Sequence, residues 1–287
     1  MKPCHPRVAG LFSYISGRIN FFLRAMPTLL TLKATLRYTA PPVWRRLVLA
    51  DSLTFWELHF ALQIAFGWEN AHLFEFSTGR GSPLDFLTGT PPTQPGEDDF
   101  VPEWWRDPRE IKIGDLLRAP KDKISYVYDM GDHWEHLLVV EKVQSLAEGQ
   151  PVPLPNCPDG RRAGPPEDIG GIPGFEMFLE TVAEKAAGKR KRMPSHYAGL
   201  GKYDPEDAEL DLVNADLHQL AAIVADEDAH LAEYLAQQAA APKRSRPAPT
   251  QLTPEMMQEM IGLMMQAGIR GGPPKSPKPP KPPKLLK

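Results

Sequence analysis

The chain has 287 residues, 42% of them apolar and 24% charged, enough for a hydrophobic core in one large domain or a medium domain with appendages. Its formal net charge of −3 conceals a split: residues 242–287 hold eleven Pro, nine Lys or Arg and two Glu, so this segment carries +7 and the remainder −10. Two cysteines exclude a disulfide scaffold and a four-Cys zinc site. The lack of an apolar run of about eighteen residues excludes a membrane-spanning helix, and the acidic body argues against a folded face for nucleic acid.

Residues 1–27 are expected to be a disordered N-terminal extension, since VAGLFSYISGRINFFLRAM is interrupted by Arg18 and Asn20 and Met26 stands just ahead of the first strand-like segment. From Thr28, TLLTLKATLRY alternates, placing Leu30, Leu32, Ala34, Leu36 and Tyr38 on one face of a half-buried strand. Pro41-Pro42 break it, and VWRRLVL (43–49) supplies a second strand that pairs antiparallel with the first. Thr54-x-x-Glu57 is a capping box before a helix whose apolar face holds Phe55, Leu58, Leu62, Ala65 and Phe66, with Gly67 as its stop. HLFEFST from His72 reads as a third strand. Residues 79–110 carry no period and are expected to form a long surface excursion, and IGDLL (113–117) one helical turn.

YVYDMGDHWEHLLVVE (126–141) then reads as a β-hairpin turning at Gly131-Asp132, because glycine takes positive φ without a Cβ clash. Alternation from His133 sends Trp134, His136, Leu138 and Val140 to one face and His133, Glu135, Leu137 and Val139 to the other. Pro and Gly density predicts irregular chain until Phe175, where helical spacing begins. After the KRKR interruption a further helix opens at Asp204 or Asp211, burying Leu212, Val213, Leu217, Leu220 and Val224 and running to about Ala240. Residues 241–287 are expected to be a Pro/Lys-rich tail, disordered apart from a Met-rich helix over 254–267 capped by Thr253 and Pro254. These elements predict an α+β fold: one domain over 28–240 with a mostly antiparallel sheet flanked by helices.

Five spaced stretches resemble the plasmid pRiA4b ORF-3-like family: PPVWRRLVL (41–49), LTFWELHFALQIAFGWENAHLFEF (53–76), YVYDMGDHWEHLLVVE (126–141), NCPDGRRAGPPEDIGGIPGFEMFLE (156–180) and YDPEDAELDLVNADL (203–217). The resemblance implies one complete domain and a stand-alone bacterial protein of the kind carried by plasmids or mobile elements. Three positions depart from the family pattern: Met130 for Phe, His133 for an acidic residue, and Gly164 where many relatives carry Cys, which removes any thiolate pair with Cys157.

The motif residues able to act chemically are His59, His72, Asp129, Asp132, Glu135, His136, Cys157, Glu167 and Asp168. A divalent metal site needs about three converging imidazole or carboxylate ligands, and the set that could supply them is His72 and His136 on adjacent strands with Asp132, Glu167 and Asp168 from loops. The favoured alternative makes these side chains structural: turn carboxylates satisfying their own backbone and buried imidazoles paired to them. Without a phosphate loop, a nucleophile elbow or a spaced zinc-protease motif, no catalytic residue is assigned.

The expected function is therefore that of a cytoplasmic, non-enzymatic binding or scaffold protein, or mobile-element accessory. It would contact a protein partner through Met257, Met260 and Met264 and the Pro/Lys tail, with Trp134 and Glu135 as further contact residues. Two alternatives stand beside it: a metal-dependent hydrolase or nuclease using His72 and His136, and an accessory DNA-binding protein relying on KRKR and the tail.

Overall fold

The alternation in TLLTLKATL forms strand β1 (Thr28–Leu36), which buries Leu30, Leu32, Ala34 and Leu36. The computed structural model describes residues 26–78, 86–89, 106–200 and 202–240. The remainder of the expected N-terminal extension, and residues 241–287, where a Met-rich helix is expected, lie outside the described residues. β1 ends two residues short of Tyr38, whose backbone turns to φ 64 and whose ring is exposed. β2 (Trp44–Ala50) pairs antiparallel with β1, Leu32 opposite Leu47.

Helix α1 (Phe55–Phe66) starts at the expected capping box: Thr54 Oγ1 accepts from Glu57 N at 3.1 Å, and Thr54 N donates to Glu57 Oε2 at 2.7 Å. It stops at Gly67, which takes the left-handed φ of 77 that closes a helix. The chain continues through β3 (Phe74–Ser77), β4 (Phe86–Gly89), a 3-10 turn (Ile113–Asp115), β5 (Lys123–Tyr128) and β6 (Trp134–Ser145). Then follow β7 (Asn156–Arg161) and helices α2 (Gly171–Ala186), α3 (Leu210–Leu217) and α4 (Leu220–Ala240).

The seven strands form one antiparallel sheet in the order β4-β3-β5-β6-β1-β2-β7. The hairpin is present, but its turn is wider than expected. Tyr128 faces Trp134, and residues 129–133 form the connection, closed by His133 N donating to Asp129 O at 2.7 Å. From Trp134 to Val140 the expected alternation holds, and a register shift opposite Thr31/Leu32 ends it.

Two strands were not expected. β4 interrupts the stretch read as a surface excursion, and β7 lies where Pro and Gly suggested irregular chain. Both are edge strands, and an edge tolerates Pro158 because one side of the strand needs no ladder donor. α3 starts beside the second predicted site and breaks before α4, so Val213 and Leu217 face inward one turn apart. Leu212, expected to be buried, is 58% exposed.

One core cluster joins the buried strand face (Leu32, Leu47, Tyr126, Leu138) to Phe55, Leu58 and Leu62 of α1 and to Phe178 and Leu217 of later helices. The other face of the sheet is mixed: Arg46 bridges Glu141 and Asp159, and a small second cluster buries Leu29, Ala50 and Leu146. Among the described residues no helix is long and apolar enough to cross a membrane.

Candidate functional site

Beyond Gly67 the chain is tied residue by residue to two other segments. Trp68 is buried and donates through Nε1 to Pro165 O at 2.9 Å, and Glu69 N donates to Glu167 Oε1 at 2.9 Å. Asn70 N reaches Gln63 Oε1 at 2.9 Å, and Ala71 N reaches the Tyr128 hydroxyl at 3.0 Å. Asp129 N donates to Leu73 O at 2.9 Å, and Gly170 N to Asp132 Oδ2 at 3.0 Å. The α1–β3 loop, the hairpin turn and the loop before α2 thus meet at one place. Gly171 belongs to this junction by necessity: a Cβ there would lie 2.7 Å from Asp132 O, at a φ of 66.

His72 projects into the junction. Its Nε2 lies 3.1 Å from Asp168 Oδ1, 3.7 Å from Asp129 Oδ2 and 3.9 Å from Glu167 Oε2, and forms a hydrogen bond with none of them. The two more buried carboxylates divide their oxygens. Asp129 Oδ1 accepts from Gly131 N at 2.7 Å, and Glu167 Oε1 accepts from the Tyr128 hydroxyl at 2.8 Å and from Glu69 N, leaving Oδ2 and Oε2 turned toward the imidazole. Burial raises the pKa of Tyr128, and its bond to Glu167 adds to the rise, so it remains a neutral phenol donor.

Asn70, Asp129 and Asp168 all adopt left-handed backbone, with φ of 55, 56 and 52, a conformation that Asn and Asp take more readily than other non-glycine residues. Ligand atoms placed about 2.1 Å from a metal stand roughly 3.0–3.4 Å apart. Donor atoms of His72, Asp129 and Asp168 lie within 4.8 Å of one another, so a small inward shift satisfies that geometry.

Of the predicted metal set, the structure brings together His72, Glu167 and Asp168, and it adds Asp129. Asp132 is used instead as a staple for the Gly170 backbone. His136 is fully buried, packed edge-on to Phe66 and Trp68, and its Nδ1 donates to Trp134 O at 3.0 Å. The expected convergence of His136 with His72 fails because His72 precedes β3 and projects into the loop junction, whereas His136 points from β6 into the core. Burial drives the His136 pKa down to about 3, so the ring is neutral.

His59 is likewise buried, with its pKa lowered to about 3 by desolvation. It closes a ring of hydrogen bonds: Nε2 donates to Asn70 Oδ1 (2.8 Å) and Nδ1 accepts from the Tyr126 hydroxyl (2.9 Å). That hydroxyl accepts from Gln63 Nε2 (2.9 Å), and Gln63 Oε1 accepts from Asn70 N. Trp134 is fully buried between Trp68 and Phe175 and offers no surface to a partner. Glu135, on the opposite face, pairs with Arg37 at 2.7 Å. Cys157 is a buried free thiol whose pKa is raised by burial. Met257, Met260 and Met264 lie outside the described residues.

Asp129 is the member of the cluster that sequence reasoning assigned to a turn. It serves the turn with one oxygen and the cluster with the other, and no one-dimensional signal separates the two.

Comparison with known proteins agrees with the five-stretch resemblance. The pattern described as plasmid pRiA4b ORF-3-like protein matches residues 28–212. The uncharacterised protein y4hQ of Sinorhizobium fredii is 32% identical over 198 residues, spanning 67% of this chain and 91% of that protein. A crystal structure of the protein of unknown function MM3350 from Methanosarcina mazei Go1 superposes with a TM-score of 0.50 at 30% identity, covering 64% of this chain and 97% of the other.

Proposed function

This chain belongs to the plasmid pRiA4b ORF-3-like family, and we propose that its domain is a divalent-cation-binding module centred on His72, Asp129, Glu167 and Asp168. The carrying observation is that His72 Nε2 and Glu167 Oε2 are both buried without a hydrogen-bond partner while facing each other across 3.9 Å. Buried polar atoms are otherwise almost always paired, and a missing ion is a recognised reason for an exception. Charge supports the same reading. Three carboxylates around a protonated imidazole leave −2, whereas a divalent cation with neutral His72 leaves −1 and satisfies all four donors. One nitrogen with three carboxylate oxygens suits Mn2+ or Zn2+ better than an all-oxygen calcium site.

Metal analysis of the purified full chain, followed by titration with Mn2+ and Zn2+, tests this. About one equivalent is expected, lost in His72→Ala and Asp129→Asn and retained in His136→Ala. Absence of binding and of any thermal shift at millimolar cation would sink the reading.

The Asp168 side chain is 78% exposed, which gives water a path to the centre and favours metal-dependent hydrolysis as a second reading. Manganese-dependent cleavage of bis(p-nitrophenyl) phosphate, abolished by His72→Ala, would be its signature. On the support of sequence composition, the domain works in the cytoplasm and residues 241–287 contact a protein partner.

A further inference from the structure

Arg45 is only 2% exposed, and its guanidinium is held by carbonyl groups. Nε donates to Ala65 O at 2.7 Å, and Nη1 to the carbonyls of Arg162 (2.8 Å), Trp44 (3.0 Å) and Arg161 (3.2 Å). The ring of Phe66 lies 5.3 Å from the guanidinium carbon. Carbonyl dipoles solvate the cation without neutralising it. Among the described residues no carboxylate is ion-paired with Arg45, and Nη2 has no acceptor. Burial lowers the Arg45 pKa, and Glu209 and Asp207 offset part of that cost from a distance without contacting the guanidinium.

Arg45 also lines a cavity of about 310 Å³ between residues 64–67 at the end of α1, residues 163–166, and the side of α3 that carries Leu212, Val213 and Asp216. The loop approaches α1 too closely for a side chain at Gly164, where a Cβ would lie 2.0 Å from Phe66 O. The volume is at the small end of ligand pockets. Besides Arg45, its charged lining consists of Lys202 against Asp204, Asp207, Glu209 and Asp216.

We propose that this cavity binds a small zwitterion of the amino-acid class, with its carboxylate on Arg45 Nη2 and its cationic end among the acidic side chains. A doubly charged phosphate would meet four carboxylates against two cations. A simple amine would leave Arg45 Nη2 without an acceptor. With the lining at −2, a basic amino acid complements the cavity better than an acidic one.

Calorimetric titration of the full chain with L-lysine and L-arginine should show saturable binding, with L-glutamate and inorganic phosphate at least roughly tenfold weaker, the scale of one charge-assisted contact. Arg45→Ala removes a buried scaffold and is a poor test, so two rim variants carry the argument. Leu212→Trp, at an exposed position of the wall, should block binding, and Asp216→Asn should weaken it several-fold. His72→Ala should leave this titration unchanged, which separates the cavity from the proposed cation centre. Failure of both basic amino acids to bind, binding unaffected by Leu212→Trp, or equal affinity for phosphate would overturn the assignment.

Discussion

His59 and His72 are tied to the same loop, one through Asn70 and the other directly, yet their surroundings differ in kind. Both nitrogens of His59 are engaged in a closed ring with Asn70, Tyr126 and Gln63, and its imidazole stacks on Phe74 at 3.8 Å. His72 instead turns Nε2 toward three carboxylate oxygens and bonds to none. A closed set of polar groups has nothing left to offer a ligand. An open set holds unspent donors and acceptors, which is what the proposed cation would use.

The largest expected effect separates the buried imidazoles from everything else by pH. His59 and His136 have folded pKa values of about 3, below the ordinary value of 6.5, so below pH 6.5 the unfolded chain binds protons that the folded chain refuses. Stability from both rings is therefore complete above the unfolded pKa and falls as pH drops toward the folded one. Between pH 7 and 5, before most carboxylates titrate, the two together should cost about 4 kcal/mol. Urea midpoints measured across that window report it, and a flat profile would mean that the rings are not buried as described.

His59→Ala comes next. It opens a cavity beside Phe74 and leaves Asn70 Oδ1 without its donor, a loss of about 3 kcal/mol by urea denaturation at pH 7. Cation uptake per folded molecule should not change. Should His59→Ala abolish uptake while the protein stays folded, the division between closed and open sets would be wrong.

Elements with long, one-sided burial were legible in the sequence. β1, α1 and the inward face of β6 follow from alternation, from the capping box and from the Gly67 stop, because each pattern repeats over many residues. β4 was not legible because four residues are too few to display a period, and β7 was masked by Pro158 and Gly160 at an edge where they are tolerated. Gly164, read as a departure from the family pattern, occupies a point of backbone contact with α1 that only a third dimension reveals. For the site, alternation told which way His136 points but not how deep, so a core residue and a loop residue were predicted to share a ligand. Asp129 was passed over because a turn explained one of its oxygens.

A smaller effect sharpens the open side of the comparison. A cation at about one hundred times its dissociation constant should stabilise the wild-type chain by about 2.7 kcal/mol, a rise in Tm of roughly 5–10 °C for a domain of this size. Differential scanning calorimetry with Mn2+ against chelator measures the shift. It should vanish in His72→Ala, and an equal shift in that variant would place the ion elsewhere.

The smallest effect on stability is the most discriminating. Asp168 sits at φ 52 with its side chain largely in solvent, and Asn accepts that left-handed backbone as readily as Asp. Asp168→Asn should thus change stability in chelator by no more than about 0.5 kcal/mol. The same substitution replaces an anionic ligand 3.1 Å from His72 Nε2 with a neutral amide, and cation affinity should fall on the order of tenfold. Were the four side chains only an ion-pair network, neutralising one carboxylate would touch stability alone. A variant that loses affinity while keeping its unfolding midpoint therefore assigns Asp168 to the ligand and not to the fold.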